Sequence, residues 1–220
     1  AEPTPAAANA AGFEGYVEDT KFSINRGFFT TPQTLTITTA TPGASIRYTT
    51  DGTWPSESAG TPYSGPITIS RTTPVRAIAY KPGHRPTNVD THTYIFVDDV
   101  VTQTAATTQS TWGLPASWGG QAPDYGMDPR VINQHNATIR NDLKTIPTWS
   151  IVCNQADLFG ASGIYSNPNN SGEAWERGIS LEMIDPGATD GSRNFQLNCG
   201  LRIQGGAFRS FGLTLKKSFR

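Results

Sequence analysis

From Lys21 to Val97, apolar and polar residues alternate in short runs, each followed by a turn signal. In TLTITT (Thr34–Thr39), Leu35 and Ile37 stand two apart among threonines; in ASIRYTT (Ala44–Thr50), Ile46 and Tyr48 do the same. Pro42-Gly43 separates these runs, and Asp51-Gly52 closes the second with a short hairpin signal. PITIS, PVRAIAY and THTYIFV supply three more runs, with Pro66 and Pro74 at strand starts, where a missing N–H does little harm. A period of two recurring roughly every 8 to 12 residues predicts an antiparallel β-sandwich. Tyr48, Tyr80, Tyr94 and Phe96 are expected in its core.

Beyond this region the period disappears. Residues 98–147 are rich in Gly, Pro, Ser and Thr and predict an extended linker. Within it, ATIRNDLK places Ile139 and Leu143 four apart, the spacing of one short helix that Pro147 helps to end. Strand patterns then return at Trp149–Cys153, Ile179–Ile184, Phe195–Gln204 and Leu213–Phe219. The expected organisation is mainly β. A flexible leader over 1–20 precedes a sandwich over 21–97, the linker with its helix over 98–147, and a second β-rich module over 148–220.

Charge and cysteine content narrow the possibilities. With 17 basic and 18 acidic residues the net charge is -1, which gives no general attraction to nucleic acid or to an anionic membrane. No apolar run approaches the roughly 20 residues that a membrane-spanning helix needs. The opening AEPTPAAANAAG has neither a basic n-region nor an apolar h-region, and reads as a flexible leader or the start of a mature secreted chain. Cys153 and Cys199 lie in strand-like runs that neighbouring strands could bring together. They form either a disulfide, contributing about 4 kcal/mol by chain entropy, or two buried thiols that pack as small hydrophobes.

Two resemblances sharpen this picture. GASIRYTTDGTWPS, GTPYSGPITI, TTPVRAIAYKPGHRPTNV and TYIF, in that order, resemble the immunoglobulin-like domain at the C-terminus of chitobiases and β-hexosaminidases, over about residues 22–97. That resemblance implies an immunoglobulin-like sandwich acting as an accessory of secreted bacterial proteins, with no catalytic group of its own. DLFG, GIY, WERGISLEMID, GLRIQGG and KKSFR, with DDV, STWG, DYGMDP and LKTIP upstream, resemble the opening part of the CotH spore-coat kinase family, over about residues 97–220. In that family the strand carrying KKSFR leads on to the acidic residues thought to bind magnesium and transfer phosphate. The resemblance therefore implies a truncated module with no cofactor of its own, ATP and magnesium belonging to a longer parent. An unfinished sheet edge would invite self-association through the C-terminal strand.

Candidate chemistry is sparse. GLRIQGGAFRSFGLTLKK offers strand, Gly-Gly turn, strand and two lysines, making Gly205, Gly206, Lys216 and Lys217 nucleotide-binding candidates. The alternative is a Gly-tipped hairpin with solvated lysines, and neither GxGxxG nor GxxxxGK[ST] occurs. GxSxG and HExxH are also absent, His84, His92 and His135 are scattered, and Glu176 and Glu182 read as structural carboxylates of a sheet. DPGATDG (Asp185–Gly191) reads as a hairpin loop rather than a calcium loop. Aromatic rings stack on the apolar faces of sugars, so Trp54, Tyr63, Trp112 and Trp118, in turns and irregular segments, are the carbohydrate-binding candidates. The expectation is a secreted, non-catalytic accessory unit contacting a polysaccharide or a protein surface. The alternatives are part of an ATP- and magnesium-dependent kinase, or a hydrolase with no recognisable motif.

Overall fold

The computed structural model describes residues 12–117, 122, 124–188, 193–214 and 216–220. Alternation in the first half produces β1 (Gly15–Tyr16), β2 (Lys21–Phe22), β3 (Gly27–Phe29), β4 (Gln33–Leu35), β5 (Ile37–Thr38), β6 (Ser45–Thr49), β7 (Thr61–Pro62), β8 (Ile67–Ile69), β9 (Thr73–Tyr80), β10 (His84–Arg85) and β11 (Asp90–Phe96). One layer is a five-stranded sheet in the order β3-β11-β9-β6-β7, and the pairs β4–β8 and β2–β5 supply the opposing residues. Leu35, Ile37 and Ile69 from those pairs meet Val75, Ala77, Tyr94 and Phe96 of the large sheet in one core. Tyr48 packs against that core as expected. Tyr80 falls on the opposite phase of β9, where its hydroxyl accepts from Arg47 Nε at 3.3 Å.

Three details depart from the sequence expectation. The sandwich is not wholly antiparallel, because β3 pairs parallel with β11 and β1 with β10. Asp51-Gly52 does not close a two-residue hairpin: residues 50–60 form a wide loop before β7 pairs back on β6. Arg47 holds that loop by donating to the carbonyls of Glu57 at 3.0 Å and Gly60 at 2.8 Å. Residues 12–20 of the expected leader run along the sandwich, with Val17 buried and the Thr20 hydroxyl bonded to Asp90. Residues 1–11 lie outside the described part.

The expected linker is largely helical. α1 (Val97–Thr102) continues directly from β11 and buries Val97 and Val101, while α2 (Ala105–Trp112) follows after two residues. Thr104 caps α2: its hydroxyl accepts from Thr107 N at 3.1 Å, and the Thr107 hydroxyl takes Thr104 N at 2.8 Å. Gly113, at φ 63°, ends the helix in the left-handed conformation that suits glycine. α3 (Pro129–His135) and α4 (Ile139–Asp142) follow, the latter at the predicted ATIRNDLK. α2 escaped the sequence reading because its core-facing side is one threonine, Thr108, rather than an apolar stripe.

The last third contains β12 (Thr148–Val152), α5 (Gln155–Phe159), β13 (Arg177–Ile184), β14 (Phe195–Leu201), β15 (Ile203–Gln204) and β16 (Ser218–Phe219). β12, β13 and β14 form an antiparallel sheet with β13 in the middle. One face buries Ile179 and Leu201 against Ile164 and Ile203. Farther along that face, the rows Trp149–Met183–Phe195 and Ile151–Leu181–Leu197 carry exposed apolar side chains. The opposite face turns Ser180 and Glu182 toward the sandwich.

Cys153 and Cys199 are free thiols. Cys153 follows β12, Cys199 sits opposite Ile179 on β14, and β13 runs between them. Two strand spacings come to about 10 Å, beyond the reach of a disulfide. The predicted strand Leu213–Phe219 shrinks to Ser218–Phe219, because Leu213 and Thr214 N–H groups bond Ser210 O in a turn, leaving Leu213 exposed.

Candidate functional site

The sandwich meets the three-stranded sheet across a polar seam. β11 alternates Thr91 and Thr93 away from its own core, and β9 does the same with Arg76. Arg76, Thr91, Ser180 and Glu182 are fully buried there. Arg76 donates to Gly52 O at 2.6 Å and to Ser180 Oγ at 2.9 Å, and its guanidinium lies 3.5 Å from the centre of the Trp54 ring. Ser180 Oγ also accepts from the Thr91 hydroxyl at 2.7 Å. Beside it, Glu182 accepts from Thr93 N at 3.0 Å and from the Thr93 hydroxyl, with Arg26 Nε 3.2 Å away.

Burial weakens both charges at this seam. Desolvation lowers the Arg76 pKa to about 10, against the attraction of nearby acidic groups. Desolvation also raises Glu182, with the Thr93 hydrogen bonds and Arg26 pulling it back toward the ionised form. This carboxylate is fully occupied by structural partners and is not a candidate acid or base.

Two clefts meet at Trp112, at the end of α2, and the second of them reaches the seam at Gly52 and Thr93. The first, of about 440 Å³, is polar. Its walls include Thr72, Thr102, Thr107, Thr111, Gln103 and Asp99. The hydroxyls of Thr72, Thr102 and Thr107 donate to the carbonyls of Phe96, Asp98 and Thr104, and the Gln103 amide donates to Tyr125 O. Asp99 is held by Thr72 N at 2.6 Å, and the Arg71 guanidinium stands 5.9 Å from the indole centre. The second, of about 300 Å³, is mostly apolar. It runs between Pro74 and Thr93 of the sandwich and the edge of β12, under Trp112 and Leu114, and ends at Leu158 and Phe159 of α5. Cys153 lines it, and burial raises that thiol to about 11, keeping it protonated at neutral pH.

The predicted carbohydrate residues are dispersed. Trp54 is half-buried, with Arg76 over its ring and its edge 3.6 Å from where a Cβ on Gly178 would sit. It plugs the seam rather than presenting a face to solvent. Tyr63 packs against the sandwich core, and its hydroxyl accepts from Ile37 N at 3.1 Å. Trp118 lies outside the described residues. Among the described candidates, Trp112 is the one that borders these clefts.

Of the nucleotide candidates, Gly205 and Lys217 flank the same end of the β15–β16 ladder, where Gln204 pairs with Ser218. Lys217, however, is buried: its ammonium donates to Thr214 O and lies 4.2 Å from the centre of the Phe211 ring. Gly206 is exposed, and Lys216 is exposed 3.7 Å from Asp124. Among the described residues no three His, Cys, Asp or Glu side chains come together as a metal site. Sequence reasoning missed the seam itself. Its one signal was the polar phase of β9 and β11, with Arg76, Thr91 and Thr93 in runs otherwise rich in apolar residues.

The fold of the first half is an immunoglobulin-like sandwich. A family model of the chitobiase/beta-hexosaminidase C-terminal domain matches residues 24–91, so the chain contains a domain of that type, typically an accessory of glycoside hydrolases. Nothing supports a CotH module over residues 97–220. No curated protein and no solved structure matches the chain. Among the described residues no helix is long and apolar enough to cross a membrane.

Proposed function

We propose that this chain is a non-catalytic, extracellular accessory unit that binds polysaccharide in the polar cleft beside Trp112. The observation that carries this reading is the composition of that cleft. One indole stands at the edge of a pocket lined by threonines, a glutamine and an aspartate. The oxygens of these side chains keep acceptor lone pairs for sugar hydroxyls even where their donors are engaged within the chain. The accessory domain type matched over residues 24–91 agrees with a supporting role beside a carbohydrate-active partner.

Retention on insoluble chitin, cellulose and other glycans tests it. The wild-type chain is expected to be retained on at least one of them. Trp112→Ala should weaken that retention by about thirtyfold, the scale of losing one aromatic hot spot of about 2 kcal/mol. Trp54→Ala is the contrasting variant: its damage should appear in stability, with glycan retention kept in the folded fraction. No retention on any glycan, or equal retention of Trp112→Ala, overturns the reading.

A further inference from the structure

β12 is an edge strand, hydrogen-bonded to β13 on one side only. In an antiparallel ladder, alternate residues of such a strand point their N–H and C=O groups away from the partner. No other backbone or side-chain group among the described residues takes up those outward groups along Thr148–Val152. Four consecutive residues, Ser150 to Cys153, line the apolar cleft. Side chains alternate across a strand, so four in a row line one cleft only where the strand turns its edge to it. The strand also lacks the devices that protect open edges, having no charge and no proline in TWSIV.

The cleft therefore combines a free row of backbone donors and acceptors with an apolar slot. At about 300 Å³ it has the size of a small ligand pocket, with room for side chains but not for a second folded unit. Among the described residues that line it, Asp51 is the one that carries a charge, while at its base the Cys153 thiol feels both Asp157 of α5 and the buried Arg76. We infer that the slot takes an extended peptide segment, added as a strand beside β12, with apolar side chains at alternate positions and a basic residue at one flank. Main-chain pairing would supply the affinity and the Trp112–Leu114 roof the selectivity. This site is separate from the glycan cleft, although Trp112 borders both.

Selection of a displayed library of random linear peptides against the whole chain, followed by synthesis of the enriched sequences, tests the inference. Methylating the amide nitrogens of one alternating set removes donors without changing side chains. It should weaken binding by about tenfold or more, while methylating the other set leaves it nearly unchanged. Bound peptide should also slow amide hydrogen exchange at alternate residues within 148–152, and Leu114→Asp should weaken binding without affecting glycan retention. Failure to enrich any peptide, binding that tolerates methylation at every position, or unchanged exchange along β12 would overturn the inference. Glycan retention is measured separately, so the two readings fail independently.

Discussion

Glu182 sits with no exposed surface between Arg26, Thr93 and Ser150, and the Thr93 groups that it accepts from are themselves buried, with little water to replace it. Glu182→Ala should cost about 3 to 5 kcal/mol of stability in urea unfolding, the scale seen when one member of a buried pair is removed. Glu182→Gln, which keeps the shape and some hydrogen bonds, should cost less. His92 offers a pH test. Its ring stacks on Phe22 at 4.3 Å, and burial, aided by the Arg26 charge, lowers its pKa to about 4. The unfolded chain binds a proton near pH 6.5 and the folded one only near 4. The stabilising contribution is therefore complete above 6.5 and is lost as pH falls toward 4. Glu182 and Asp90, both raised by burial, act in the opposite sense. The difference between wild type and His92→Phe isolates the histidine: the wild type should lose more stability between pH 6.5 and 4, and parallel curves would contradict it. Single residues were only partly legible. Glu182 was readable as structural from its phase in WERGISLE, but the plugging role of Trp54 was not, because it depends on Arg76 and Gly178, which are distant in sequence.

Among the elements, the loop after β6 does more than reverse the chain. Gly52 adopts φ 84°, and a Cβ there would lie 2.5 Å from Cys153 O. Gly52→Ala should therefore destabilise by about 2 kcal/mol or more, which equilibrium unfolding would measure; a neutral result would mean that the turn does not touch β12. The cysteines give a second check. With β13 between them, denaturing thiol titration should count two free thiols per chain without prior reduction, and a count of zero would restore the disulfide. Strands with a clean period of two, such as Ser45–Thr49 and Asp90–Phe96, were legible because one face is apolar and the other is not. Helix α2 was not, since a threonine cap and one buried threonine replace the apolar stripe. The C-terminal alternation was misleading, because local turn bonds to Ser210 outcompeted ladder pairing.

At the scale of the whole molecule, the apolar cleft depends on the seam that holds the β12–β13–β14 sheet against the sandwich, because its walls come from both parts. Two groups of strands, before residue 97 and after residue 147, were legible in the sequence pattern, but their docking was not. Docking rests on polar side chains from runs that read as ordinary strands, and period alone does not tell a buried polar face from a solvated one. If Arg76, Trp54, Ser180 and Glu182 do lock the two parts together, neither part can melt without exposing the other's buried charge. Differential scanning calorimetry of the intact chain is the most direct test. One transition is expected, with calorimetric and van't Hoff enthalpies that agree. Two separable transitions, with the sandwich melting independently of the sheet, would contradict it.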